Sequence, residues 1–139
     1  MLLEVLVAIL IFAIGVLSLV GLQVASIKES GKAKYRTDAT LLANELIGRM
    51  WVTDRSFANL SAQFESAGPG AAYTAWLPAV QAALPGVAAN PPVVTVVSVP
   101  AGGAGGTPSS LVTVTLSWKA PTEPAADPPS SLTVVTRIK

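Results

Sequence analysis

Carboxylates are the side chains of this chain that come closest to catalytic chemistry, because it contains no histidine and no cysteine. Serine–histidine and cysteine–histidine nucleophile pairs are therefore impossible, and the commonest zinc sites lose their usual ligands. The acids of the second half, such as Asp54, Glu65 and Asp127, stand apart without a paired motif. The glycine-rich segment at residues 101–106 lacks the lysine and hydroxyl residue that end a phosphate-binding loop. These residues predict no enzyme, no metal and no cofactor.

Glu4 differs from the other acids because it lies at the edge of a long apolar segment. Residues 5–27 carry no charge. A carboxylate deep in such a segment costs about 2.5–3.5 kcal/mol on membrane-insertion scales. Either Glu4 lies at the membrane interface, or it meets a positive partner such as the terminal amine of a neighbouring subunit. A buried pair of that kind is little screened by salt, and it would set the axial register of the subunits.

The element that positions Glu4 is a predicted membrane helix. About 20 apolar residues suffice to cross a bilayer, and residues 5–27 exceed that length. A helix buried in a soluble core is one alternative, although cores rarely need so long an apolar segment. A cleavable secretory signal is another, but signals have a basic start and an apolar region of about 7–15 residues. Only Met1, Leu2 and Leu3 precede Glu4, and none is basic.

Helical character continues beyond the apolar segment to Trp51, because residues 28–51 contain no proline. Glu45 and Arg49 are four apart in the favourable order for a helical ion pair. An apolar stripe recurs at helical spacing in this half, formed by Ala39, Leu42, Ala43, Leu46, Ile47 and Met50. The sequence therefore predicts one helix over residues 1–51, with residues 2–27 in the membrane or in a filament core.

Four small residues lie on the apolar half of this helix: Gly15, Ser18, Gly21 and Ala25. Gly21 and Ala25 are four apart, a spacing that permits close approach of helices in lipid. Each glycine weakens a helix by roughly 1 kcal/mol relative to alanine. These positions are candidates for helix packing, and the two glycines are candidates for local bending.

Residues 52–139 hold most of the glycines and prolines and predict a small α+β domain. Thr74 is a candidate cap for a short helix that runs to about Leu84, with Pro78 tolerated in the first turn. Trp76 and Val80 lie on one face of this helix and predict core packing. Three strands are predicted over residues 93–99, 111–118 and 132–138, joined by flexible linkers rich in proline and glycine.

Strand alternation and the helix stripe together predict the fold. Val112, Val114, Leu116 and Trp118 alternate with hydroxyl residues, so one face of an antiparallel sheet should cover the stripe. Leu42, Leu46, Met50 and Trp118 are the expected helix-to-sheet core. The expected fold class is α+β: a long N-terminal helix, membrane-spanning in its first half, packed on a small antiparallel sheet.

Two segments carry a family resemblance. LLEVLVAILIFAIGVLSLVGLQ, at residues 2–23, resembles the start of a mature type IV pilin. The IGVLSLVGLQ part of it and YRTDATLLANELIGRM, at residues 35–50, resemble the minor pilins of the type IV pilus modification protein (PilV) family. The resemblance covers about the first fifty residues, with weaker similarity at residues 76–86, which end in LPG, and in the VTVTLSW strand at residues 112–118.

The resemblance implies the pilin fold and a minor pilin without catalytic activity. Glu4 matches the glutamate that is thought to pair with a neighbour's amine. The implied partners are other pilins, a tip adhesin and the inner membrane. Family members lose a leader to a peptidase that also methylates the new terminus; against that pattern the chain opens one residue short of a mature pilin. The implied location is the inner membrane with a periplasmic domain, then the pilus tip.

Alternative functions stay open at this point. A minor pseudopilin of type II secretion begins with a similar amino-acid sequence. A single-pass membrane protein with a small binding domain would also account for the apolar helix, but not for its continuation to Trp51. Lys28, Lys32, Lys34 and Arg36 follow the apolar segment closely. By themselves they favour a cytoplasmic C-terminal side, whereas the resemblance implies an external one. The net charge of +1 gives no electrostatic reason to expect nucleic acid as a partner.

Overall fold

The computed structural model of the chain describes residues 1–102 and 106–139. In chain order the elements are α1 (Leu2–Val52), α2 (Phe57–Phe64), α3 (Ala71–Ala83), β1 (Val93–Val99), β2 (Ser109–Trp118) and β3 (Ser130–Ile138). The three strands form one antiparallel sheet in the order β1-β2-β3. The predicted α+β class, with a long N-terminal helix packed on a small antiparallel sheet as in the pilin fold, is confirmed.

The chain divides into two compact units inside α1. The first is Met1–Lys34, which consists of the apolar half of α1 and the polar residues that follow it. The second is Tyr35–Lys139, which contains the last part of α1 with α2, α3 and the sheet. The predicted boundary at residue 51 lies near the end of α1 at Val52. The globular unit instead begins inside the helix, at Tyr35.

The core of the globular unit forms where the stripe of α1 faces one side of the sheet. Leu46, Met50, Trp76 and Leu116 are completely buried. Leu42 and Trp118 belong to the same cluster, with 8% and 4% of their surfaces exposed. Fully burying an apolar side chain of this size stabilises a fold by about 1.5–3 kcal/mol. The residues that the sequence assigns to the helix-to-sheet core thus all lie in it.

The alternation of apolar and hydroxyl residues sets the faces of the sheet. In β2, Val112 and Val114 are buried, while Thr113 and Thr115 point to the opposite side and are more exposed. β1 spans the predicted bounds, and β2 and β3 each begin two residues earlier than predicted. Alternation identifies strands well when one face is buried, because only one register then hides the apolar set.

The prediction that Thr74 caps the third helix is wrong. α3 begins at Ala71, Gly70 is its N-cap, and the Thr74 hydroxyl instead donates to the Gly70 carbonyl at 2.9 Å. Pro78 consequently lies inside the helix and not in its first turn. Close packing explains the earlier start: a Cβ on Gly70 would lie 2.3 Å from the carbonyl oxygen of Ala62, so the chain can approach α2 there only as glycine.

α2 was not predicted from the sequence, although its signals are present. Ser56 caps it, since its hydroxyl accepts a hydrogen bond from the Asn59 N–H at 3.4 Å. Leu60 and Phe64 are buried four residues apart on one face. Asp54 in turn accepts hydrogen bonds from the backbone N–H and the hydroxyl of Ser56, and these hold the pKa of Asp54 below its usual value.

The two connections between strands differ. The sequence predicts a mobile hairpin loop for the glycine-rich segment at residues 101–106, and residues 103–105 of this segment lie outside the described residues. The proline-rich loop between β2 and β3 folds around Lys119, whose ammonium group donates to the carbonyls of Ala125 and Asp127, both at 2.7 Å. Each of these hydrogen bonds to a charged donor is worth about 1.5–3 kcal/mol where water is excluded, and less at this exposed loop.

Candidate assembly surface

The apolar half of α1 offers a surface that nothing in its own unit covers. Every residue from 2 to 27 is exposed in the unit Met1–Lys34. α1 has the length and composition to cross a membrane. Soluble monomers rarely expose contiguous apolar patches above a few hundred Å². This surface is therefore compatible with membrane anchoring.

Glu4 lies in the first turn of α1. Its carboxylate has no hydrogen-bond or ion-pair partner within residues 1–102 and 106–139. Unsatisfied N–H groups at a helix N-terminus favour a carboxylate by about 0.3–1 kcal/mol at an exposed position. That gain is smaller than the insertion cost of a deep carboxylate, about 2.5–3.5 kcal/mol. A cationic partner from outside the chain would offset that cost at a deep position.

The small residues of the apolar half leave a helix surface that another helix could approach. α1 runs without interruption through Gly15 and Gly21, and nothing lies within 4 Å of a Cβ placed on either glycine. The Ser18 hydroxyl donates to the Ile14 carbonyl at 3.0 Å, so it is satisfied within the helix and needs no water. Ala25 is exposed on the same helix. The structure places all four residues on an uncovered surface but brings no partner to them.

A polar segment separates the apolar half from the globular unit. Lys32 forms an ion pair with Glu29 at 3.1 Å, and both side chains are largely exposed. Exposed pairs of this kind contribute about 0–1 kcal/mol, so the segment gains solubility and little stability from it. Arg49 and Glu45, predicted as a favourable pair, lie 2.6 Å apart later in the same helix.

The part of α1 that follows is built into the globular unit by its own side chains and by those of α3. Leu42, Leu46 and Met50 contact the core, and the Trp76 indole N–H donates to the Leu42 carbonyl at 3.2 Å. The Tyr73 ring lies against the Trp76 ring with centroids 6.1 Å apart. Trp76 is thus a packing residue that ties α3 to α1, as its position in the sequence predicts.

A recess of about 190 Å³ lies between the start of α2 and the end of the sheet where β1 ends and β2 begins. Sites for small molecules usually enclose about 300–1,000 Å³. Carboxylates elsewhere in the unit serve as hydrogen-bond acceptors: Glu65 accepts from the Ser61 hydroxyl and from the Val96 N–H. Within the described residues no group of three histidine, cysteine, aspartate or glutamate side chains could hold a metal ion. The uncovered half of α1 is consequently the strongest candidate for function.

Comparison with protein-family models, with curated proteins and with solved structures finds no match to this chain.

Proposed function

We propose that this protein is a minor pilin, a structural subunit that takes part in the assembly and priming of a type IV pilus. In this proposal the apolar half of α1 waits in the inner membrane and then joins other pilin helices in a bundle. The globular unit is periplasmic at first and later lies near the pilus tip, where the minor pilins support display of an adhesin. The N-terminus is methylated after leader cleavage, and loss of the subunit reduces twitching motility.

The observation that carries the proposal is the uncovered apolar helix that continues without a break into the core of a small α+β unit. A simple membrane anchor needs only residues 5–27. It does not explain why the same helix supplies Leu42, Leu46 and Met50 to the globular core. A filament subunit needs both an apolar helix and a domain attached to it, because the helix holds the subunit in the bundle and its last part belongs to the core of the domain.

Glu4 supplies the register in this proposal. An unpaired carboxylate in a filament core is costly, so a subunit docks only where its Glu4 meets a neighbour's terminal amine. Glu4→Gln keeps the size of the side chain and removes its charge. We expect the variant to insert in the membrane at normal levels but to reduce pilus number at least tenfold.

The assay compares pilus counts by electron microscopy in cells that carry the chromosomal gene or its variants. Glu29→Gln is the matched control, since it also removes one glutamate charge from α1 but lies beyond the apolar half. Immunoblots of membrane fractions establish equal amounts of each variant. Normal piliation in the Glu4→Gln strain would refute the role of Glu4.

A second measurement tests the class of protein. Intact mass and N-terminal sequencing of the protein from its native gene should show a start one residue before Met1 and an added methyl group. A pseudopilin of type II secretion would give the same terminus, so deletion strains distinguish the two. Lost twitching with intact secretion indicates the pilus, whereas lost secretion indicates the pseudopilin.

A further inference from the structure

We propose that the free edge of β3 receives an extended segment of a different protein, not of a second copy of this chain, and that this segment adds a fourth strand to the sheet. The segment has alternating apolar residues on the side of α1 and an acidic residue beside Arg137. The addition of a strand follows from the sheet itself. Only the identity of the donor as another subunit of the filament rests on the proposed function.

The two edge strands of the sheet differ in whether their outward backbone groups have hydrogen-bond partners, and β1 is the edge that has them. The Ser66 N–H donates to the Val94 carbonyl at 3.1 Å, and the Val94 N–H donates back to the Ser66 hydroxyl at 3.1 Å. The Val96 N–H donates to a Glu65 carboxylate oxygen at 3.1 Å. The segment after α2 thus bonds to both outward backbone groups of Val94 and to the outward N–H of Val96, a cover of the kind that folded proteins commonly place at a sheet edge.

The same hydrogen bonds show which residues of β3 face its free edge. In an antiparallel sheet the N–H and C=O of one residue point to the same side, and the side alternates along the strand. The N–H and C=O of Val94 point away from β2, so those of the odd-numbered residues of β1 point toward β2. The β2 residues paired with them point back toward β1, as Thr113 does opposite Thr95. Even-numbered residues of β2 therefore face β3, as in Val112↔Thr136.

It follows that four residues of β3 direct their N–H and C=O groups away from the sheet: Ser131, Thr133, Val135 and Arg137. Within residues 1–102 and 106–139, no backbone or side-chain group bonds to these edge groups. Such a row of open donors and acceptors is a template for another strand.

β3 also lacks the usual devices that block an incoming strand. It contains no proline, and its pairing with β2 continues through nine consecutive residue pairs, from Ser110↔Ile138 to Trp118↔Ser130, without a bulge. Its only charged side chain is Arg137, which lies on the outer face with its Nε–H donated to Ser109 Oγ at 2.7 Å. A regular edge of this length is uncommon on a protein that stays unpartnered.

The side chains of β3 specify the chemistry of the added segment. Leu132 and Val134 point toward the core but are only half-buried, whereas their neighbours in β2, Val114 and Leu116, are fully buried. A fourth strand with apolar residues on that face would cover them. On the outer face no carboxylate of the described residues pairs with the Arg137 guanidinium. Opposite charges on neighbouring strands contribute about 0.2–1 kcal/mol, which favours an acidic residue there.

The probe for the test is a labelled nine-residue peptide of alternating valine and threonine. One glutamate meets Arg137 in antiparallel pairing, and two lysines at the far end keep the peptide soluble. Binding to the full chain in detergent micelles is followed by fluorescence anisotropy, and protection of individual β3 amides by hydrogen exchange. We expect saturable binding and protection at Thr133, Val135 and Arg137.

Val135→Pro is the decisive variant, because it removes an outward N–H and leaves every hydrogen bond between β2 and β3 intact. We expect it to weaken peptide binding at least tenfold, whereas Val135→Thr, which keeps the N–H, stays within threefold of wild type. Thr133→Pro tests the same point at a second site if Val135→Pro lowers the thermal midpoint. A peptide with lysine in place of its glutamate should bind the wild-type chain several-fold more weakly.

Three results would overturn the inference: no binding up to 1 mM peptide, equal binding by the wild type and both proline variants, or concentration-dependent protection of β3 in the chain alone. The last result would assign the edge to a second copy of this chain. Glu4→Gln should bind the peptide as the wild type does. A failure of the filament proposal is thereby separated from a failure of the edge proposal.

Discussion

Replacement of Trp76 by phenylalanine tests how the globular unit is held to α1. The Trp76 side chain is completely buried, and its indole N–H donates to the Leu42 carbonyl at 3.2 Å. Loss of this hydrogen bond costs about 1 kcal/mol. The carbonyl also belongs to the backbone ladder of α1, so it is not left without a partner. The smaller ring leaves a void that costs about 1–2 kcal/mol.

We therefore expect Trp76→Phe to lower the free energy of unfolding by about 2–3 kcal/mol. For a unit of this size the thermal midpoint should fall by roughly 10–20 °C. The apolar half of α1 stays helical in detergent micelles, so circular dichroism would mask the transition. The fluorescence of Trp118, which is buried in β2, reports the unfolding of the sheet directly.

Trp51→Phe is the matched control, because Trp51 lies in the same chain with 43% of its surface exposed. We expect this change to cost less than about 1 kcal/mol. Equal losses for the two variants would refute the view that Trp76 links α3 to α1. A loss below about 0.5 kcal/mol for Trp76→Phe would do the same.

Two further predictions concern the same unit. Gly70→Ala should lower the free energy of unfolding by more than about 2 kcal/mol, because the new Cβ would clash with the backbone oxygen of Ala62. Gly68→Ala is the control, since nothing lies within 4 Å of its Cβ, and it should change the free energy of unfolding in urea by less than about 0.5 kcal/mol. Burial raises the pKa of Tyr73, whose hydroxyl donates to the Pro92 carbonyl at 2.8 Å. Because the folded state then holds this proton more tightly than the unfolded state, stability is unaffected below the usual tyrosine range and falls as the pH rises above about 10. Tyr73→Phe should reduce that alkaline loss in denaturant midpoints measured from about pH 8 to 11, and an unchanged profile would contradict the assignment.

The elements with a strong periodic pattern were predictable from the sequence. Residues 2–27 have no polar face, and the stripe through Leu42, Leu46 and Met50 recurs at helical spacing. The alternation in β2 indicates both a strand and its buried face. In each case the pattern is local and its period matches one type of element, so neighbouring residues carry enough information.

The sequence does not predict the first residues of the short helices α2 and α3 correctly. Thr74 has the residue type of a helix cap, yet the helix begins at Ala71. The glycine there allows α3 to approach the carbonyl oxygens of α2. α2 has a capping serine and a short apolar face, but an eight-residue helix gains most of its stability from packing. Contacts distant in sequence decide such elements.

The candidate assembly surface shows the same division. The sequence indicates an apolar helix with one carboxylate near its start, because an uncharged apolar segment of more than about 20 residues is typical of a membrane helix. Local patterns are thus sufficient to predict the long helix, the three strands, their buried faces and the position of Glu4 beside the apolar half.

Which backbone groups of the sheet edges remain without a hydrogen-bond partner depends on packing between distant segments of the chain. Glu65 reads as an isolated acid in the sequence, but it accepts the Val96 N–H and protects the edge of β1. β1 and β3 are similar in composition, and nothing local distinguishes a protected edge from a free one. The order of strands in the sheet and the path of the chain after α2 make that distinction, because both depend on pairings between residues about 10 to 30 positions apart.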